Sequence, residues 1–200
     1  AVETGYPNGH LLEDGGSPTL GVDDVRAIVA AAHARGAPVS AHVSNAAELD
    51  VALSGGVDSI AHTPLDTVAD GTLRAMVSRG VSMTSTLNIW GNADLASANR
   101  NISRFVRLGG KLAMGTDYPF QTQPGMPTGE LRAMRAAGLS EREVLLACTR
   151  DAAIVCARND LGTIEPGKRG DLLVVDGDPL NDLGAMEQVT RVVQDGIVIR

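Results

Sequence analysis

Three residues in this sequence have the types and placement that metal-assisted hydrolysis needs. Histidine is scarce, with four in the chain. Two of the four close short runs of small and β-branched residues. His42 ends Val39-Ser40-Ala41-His42, and His62 ends Asp58-Ser59-Ile60-Ala61-His62. Asp117 follows a third such run, Leu112-Ala113-Met114-Gly115-Thr116. Two imidazoles and a carboxylate make a donor set for zinc, manganese or iron. Neutral imidazole binds a borderline divalent cation without adding charge, and the carboxylate partly neutralises it. The metal lowers the pKa of bound water toward neutrality. A carboxylate touching that water can take its proton and pass it to a leaving amine.

Other residues with chemical potential have a plainer explanation. A lone histidine at a strand end is more often packed or hydrogen-bonded than a ligand, so the weight rests on the pair and on Asp117 together. His33 falls on the polar side of a helical stretch, and His10 lies in a long loop, where exposure is the expectation. Tyr118 and Trp90 are equally consistent with touching substrate and with packing. Cys148 and Cys156 lie in helical sequence with no Cys-x-x-Cys motif, and read as reduced, buried, small apolar residues.

The three candidates are far apart in sequence, so the fold must bring them together. Strand and helix patterns alternate along the chain. Ala1 to Thr4 reads as the end of a strand, and Gly5 to Pro18 as a long loop of the kind that is often functional. A helix follows from Gly21 to Asp24 onward, with Val25, Ile28, Val29 and Ala32 as its apolar stripe, closed by Gly36 and Pro38. Then come strand 39–42, helix 46–54, strand 59–62, helix 70–79, strand 81–84, a helix within 99–108, strand 111–115 and helix 128–137. Strict alternation argues for parallel strands joined by right-handed crossovers. The short period matches a (β/α)8 barrel, whose strands all end at one mouth where the βα-loops build the active site. The rival is a doubly wound sheet, but no Gly-rich phosphate turn announces one.

The pattern changes after Ser140. Ser140 to Glu143 forms a capping box that opens a helix through Ala147, and a second helix covers Asp151 to Ala157. From Leu161 the chain reads as strands and turns, with a strand at 171–175 and a hairpin over 191–199 turning at Asp195-Gly196. Asp176 and Asp178 read as turn formers. The expected division is a barrel portion over 1–160 and a small β-structure over 161–200.

Composition narrows the function. The chain has 200 residues and a formal net charge of −7. No basic cluster with interleaved aromatics is present, which argues against nucleic-acid binding. No apolar run is long enough to span a membrane, and no signal-peptide pattern opens the chain. The expected location is cytoplasmic.

Four segments carry a family resemblance. "VRAIVAAAHARGAPVSAH" (25–42), "GVDSIAH" (56–62), "KLAMGTDYP" (111–119) and "LGTIEPGKRGDLLVVDGDPL" (161–180) are similar to the C-terminal half of the amidohydrolase superfamily, in the branch of imidazolonepropionase-like enzymes and Xaa-Pro dipeptidases. The resemblance implies an α/β fold: the C-terminal part of a (β/α)8 TIM barrel, about strands 4 to 8, followed by part of a small β-sandwich domain. It implies a hydrolase that cleaves a C–N bond, in an amide, peptide-like or cyclic amide substrate, through a metal-activated hydroxide. His42 and His62 would bind one divalent metal, zinc above all. Asp117 would bind a second and act as the catalytic proton shuttle.

The sequence departs from the family in one respect. The family places a His-x-His pair on its first barrel strand and, in binuclear members, a carboxylated lysine on its fourth. No His-x-His occurs here, and the lysine would fall just before Ala1. The expectation is a fragment that needs the missing N-terminal half of its barrel and is inactive alone. The alternative is a noncatalytic remnant or binding module on the same fold. The expected partner is a small-molecule substrate, with homo-oligomerisation left open.

Overall fold

Short apolar runs become strands, and the amphipathic stretches between them become helices. The computed structural model describes residues 2–3, 20–91, 93–118 and 125–200. Through them the chain runs β1 (Val2–Glu3), α1 (Val22–His33), β2 (Ser40–His42), α2 (Ala46–Gly55), β3 (Ser59–Ala61), α3 (Asp70–Ser78), β4 (Ser82–Thr84), a 3₁₀ turn (Leu87–Trp90), α4 (Ala96–Arg107) and β5 (Leu112–Ala113). It continues through α5 (Thr128–Ala136), α6 (Glu141–Cys148), α7 (Arg150–Val155), β6 (Leu172–Val175), a second 3₁₀ turn (Leu183–Glu187), β7 (Val189–Gln194) and β8 (Ile197–Val198). The expected loop at Gly5 to Pro18, with His10, lies outside the described residues.

β1 to β5 form one parallel sheet in the order β1-β2-β3-β4-β5. Strand order follows chain order without a reversal. A doubly wound sheet reverses at a switch point, so that rival is excluded for the described strands. The strands are shorter than the sequence pattern predicts. Hydrogen bonding of the ladder stops where the chain turns into left-handed backbone, at His62 beyond β3 and Thr86 beyond β4.

The core lies between sheet and helices. Ala41, Ile60, Met83 and Leu112 from the strands meet Leu49, Leu73, Met76, Ile102, Phe105 and Val144 from the helices, all essentially inaccessible. Two apolar expectations fail. Ile28 is 40% exposed although Val25 and Val29 on the same stripe are buried, so the inward stripe of α1 is narrower than its composition indicates. Cys156 is exposed, because it falls at the C-cap of α7 beyond the buried Ala153.

Helix ends follow local chemistry. Asn45 Oδ1 accepts the Glu48 N–H at 2.9 Å to cap α2, and Gly56 closes that helix in left-handed backbone at φ 90°. The capping box of α6 is formed by Ser140 and Glu143. α1 and α2 approach closely at Gly55, where a Cβ would stand 2.3 Å from Val25 Cγ1.

β6, β7 and β8 form an antiparallel sheet. The β7–β8 hairpin turns at Asp195-Gly196, both with positive φ, as the twist of a two-residue loop requires. Asp178 Oδ1 accepts the Leu180 N–H at 2.9 Å, the expected turn role. This sheet leaves Leu172, Leu173, Val174, Ile197 and Val198 exposed. Among the described residues no helix is long and apolar enough to cross a membrane.

The α1–α2 contact can be tested with two alanine substitutions. Gly55→Ala must displace Val25 and should destabilise the chain by about 1–3 kcal/mol. Gly71→Ala, on the surface of α3 with nothing near its missing Cβ, should stabilise by about 0.5–1 kcal/mol. Urea midpoints of the two variants against the parent check both signs.

Candidate active site

Parallel pairing delivers the two histidines to one place. β2 and β3 pair with His42 opposite Ala61, and one further residue carries the chain to His62. The imidazole rings lie 4.4 Å apart, centroid to centroid, in an edge-to-face arrangement at 74°. His62 is 5% exposed. The next strand adds a partner: Thr84 of β4 lies opposite Ala61, and two residues later the Thr86 Oγ1 stands 2.6 Å from His62 Nδ1. The Trp90 ring follows at 6.0 Å from His62. Trp90 is therefore a wall of this site, and its buried indole N–H has no hydrogen-bond partner among the described residues.

Asp117 comes from the loop after β5, with φ 49°. Its negative charge acts on His62. Burial, helped by the neighbouring His42, pushes the His62 pKa from 6.5 down to about 4, against the opposing pull of Asp117. His62 is thus neutral at ordinary pH, which is the form that ligates metal. With Nδ1 engaged by a hydroxyl, Nε2 is the nitrogen left for a ligand, and such a second partner is how ligating histidines are oriented. The donor types fit a divalent cation. Among the described residues, however, no group of three or more His, Cys, Asp and Glu side chains closes into a metal cage. The structure brings His42 and His62 into contact and sets Asp117 within electrostatic reach.

Strain collects at this rim. His62, Thr86 and Asp117 are non-glycine residues at φ 71°, 70° and 49°, each just beyond a strand. Such backbone is held only where its surroundings over-determine it, and it clusters at functional sites.

Three buried polar residues hold the loops, and sequence reasoning passed over all of them. Glu48 Oε2 accepts the Ser44 N–H at 2.5 Å and hydroxyl at 2.8 Å, fixing the loop after β2. Asn101 donates to the carbonyls of Pro64 and Asp66 at 3.0 and 2.7 Å and accepts the Val68 N–H at 3.1 Å, fixing the loop after β3. Glu130 accepts N–H bonds from Leu87 and Asn88 at 2.9 and 2.8 Å, fixing the loop after β4. Burial raises the Glu130 pKa, while these donors oppose the rise. The available signal was periodicity. Glu130 shares a helix face with Met134, and Glu48 with Ala52, and a carboxylate on an apolar face is a buried one.

The remaining candidates fall as their chemistry indicates. His33 Nε2 meets Asp58 Oδ2 at 2.8 Å on the surface, away from the rim. Tyr118 is exposed. Burial pushes the Cys148 thiol up to about 12, so it stays protonated and inert.

The sequence profile of the amidohydrolase family matches residues 10–199. The chain belongs to the amidohydrolase family. It is 27% identical over 167 residues to an imidazolonepropionase of Deinococcus deserti, covering 81% of this chain and 41% of that protein. Among solved structures, it matches a prolidase complexed with N-methylphosphonate-L-proline with TM-score 0.78 and 26% identity, over 92% of this chain and 50% of that one. A Xaa-Pro dipeptidase with bound methionine gives TM-score 0.82 at 24% identity over the same shares, which is a likeness of fold. The amidohydrolase chain spans about half the length of the curated relatives it matches.

The depressed His62 pKa sets an acid limit on stability. Between pH 6.5 and about 4 the unfolded chain binds a proton at this site that the folded one refuses. Stability is therefore complete above pH 6.5 and falls as pH is lowered, by about 3 kcal/mol at most from this group. Urea unfolding with chelator present should show that loss, and His62→Gln should flatten it.

Proposed function

We propose that this chain supplies barrel strands 4 to 8 of a metal-dependent amidohydrolase that cleaves a C–N bond. The observation that carries the reading is the His42–His62 contact, made at adjacent parallel strand ends in a chain of this family. In this reading residues 1–160 are barrel and 161–200 belong to a small β-sandwich. Residues beyond this chain complete both, and activity depends on them.

His42 and His62 would hold one cation through neutral imidazole nitrogens, with Asp117 as the acidic ligand of a second. A divalent ion, zinc being the one that imidazole and carboxylate suit, supplies Lewis acidity and lowers the pKa of water. Asp117 takes the proton from the attacking water as oxygen bonds to the carbonyl carbon. It then delivers that proton to the nitrogen as the C–N bond breaks, so that acid and amine leave in balance. Thr86 orients His62, and Trp90 walls the pocket and excludes water beside the imidazole. The relatives are named for imidazolonepropionase and prolidase activity, which points to small cyclic amides and Xaa-Pro dipeptides as the substrate class.

A noncatalytic binding module on the same fold is the second reading. The open arrangement of the acidic and imidazole groups among the described residues is what favours it.

Metal analysis and hydrolysis assays on the protein as its gene encodes it separate the two. His42→Ala and His62→Ala should each weaken zinc binding by at least about tenfold. Asp117→Asn should lower kcat on a dipeptide or cyclic amide by about 10²-fold or more. Three variants that bind zinc and turn over like the parent would sink the site assignment. A parent that holds no metal and hydrolyses nothing in the panel establishes the binding module.

A further inference from the structure

Glu130 is a buried carboxylate to which the proposed chemistry gives no part. It stands in the first turn of α5 and is 1% exposed. Its hydrogen bonds all go to one loop. Oε1 accepts from the Leu87 N–H and Oε2 from the Asn88 N–H, and the Thr86 N–H and the Ser85 hydroxyl lie near enough to oppose the rise of its pKa. Two consecutive N–H groups are thus held by one carboxylate, and the two residues before them feel its charge. Successive N–H groups converge on an anion where the chain turns through a nest, and Thr86 supplies left-handed backbone at this turn, at φ 70° and ψ 35°. Thr86 is also the residue whose hydroxyl reaches His62.

Packing holds this loop from two further sides. A Cβ on Gly129 would stand 3.0 Å from the Asn88 side chain, so α5 lies flush against the loop. A Cβ on Gly115 would stand 2.5 Å from Thr84 Cγ2 and 3.2 Å from Thr86 Cγ2, so the chain leaving β5 presses on it from the other side. Burying an acid here is costly, and burial does raise its pKa. A well-packed apolar side chain would fill the space without that cost. What it could not do is accept the Leu87 and Asn88 N–H groups and impose the turn.

We propose that Glu130 is a positioning residue: by accepting the Leu87 and Asn88 N–H groups, it locks Thr86 against His62 Nδ1 and sets Trp90 beside the imidazole, fixing which His62 nitrogen is left for a ligand. The last step rests on the metal reading given above; the first two do not. The carboxylate is required as such, because an amide in its place turns an N–H₂ toward N–H donors.

The test uses the protein as its gene encodes it, labelled with 5-fluorotryptophan and with ¹⁵N in histidine. Trp90→Phe and His62→Gln assign the two resonances. Zinc affinity is read by competition with a chromophoric chelator. Glu130→Gln, and the milder Ser85→Ala, should move the Trp90 fluorine resonance and the His62 Nδ1 resonance, and Glu130→Gln should weaken zinc binding by about 10- to 100-fold. Thr86→Val should give the same zinc loss with Glu130 intact, and Thr86→Ser should restore binding. The double variant Glu130→Gln/Thr86→Val should be no worse than either single, since the two act in series. Ser140→Ala, which removes the cap of α6, sets the baseline of lower stability with unchanged zinc affinity. A folded Glu130→Gln protein with parental resonances and zinc affinity overturns the proposal, as do additive losses in the double variant. If Glu130→Gln does not fold, Ser85→Ala and the Thr86 pair decide. A parent that binds no zinc refutes the metal reading alone, and the two resonances then decide the role of Glu130.

Discussion

The in-register parallel pairing of β2, β3, β4 and β5 is the constraint on which the rest depends. Ala41 faces Ile60, Ile60 faces Met83, and Met83 faces Leu112. This row of apolar side chains is buried and fixes the register, because a slip of one residue would turn each strand's core face outward. Once that row is set, the residues beyond it are set too. His42 ends its strand beside Ala61, and His62, Thr86 and Asp117 follow at the ends of successive strands. Packing in the middle of the sheet therefore decides geometry at its end.

The rim needs a second kind of support, since loops have no apolar face to bury. Each of three consecutive loops is tied by one buried polar side chain from a helix: Glu48 from α2, Asn101 from α4 and Glu130 from α5. The three differ in type because the loops offer different groups. Exposed carbonyls at Pro64 and Asp66 need the donor amide of Asn101. The Ser44 N–H and hydroxyl after β2, and the Leu87 and Asn88 N–H groups after β4, need a carboxylate. With few aromatics to fill space, the molecule fixes its loops by direct hydrogen bonds more than by bulk.

The alternation of strand and helix was legible because apolar periodicity and glycine stops are local signals, and the chain places them regularly from Val39 to Ala137. His42 and His62 could be singled out because each closes a strand. Thr86 could not, and for Glu130 periodicity marks burial without naming what it holds. Their roles arise from a turn whose shape is set by atoms 43 residues apart, and no local pattern records such a pairing. The 3₁₀ turn that carries Trp90 was missed for the same reason. Ile28 and Cys156 mislead in the opposite direction: their apolar character says inside, and their place on the helix says outside. The "GKLAMG" run shows a further limit. Gly115 reads as the last residue of a strand, yet its missing Cβ is what lets Thr84 and Thr86 approach.

The left-handed backbone at His62, Thr86 and Asp117 bears on how such a protein can change. Each of these conformations costs about 1–3 kcal/mol for a residue with a side chain. Glycine would relax all three at once. It would also remove the imidazole, the hydroxyl and the carboxylate together, and at His62 and Thr86 it would empty space that is now filled. Backbone strain and the proposed donor set thus reside in the same three residues, and neither can be given up without the other.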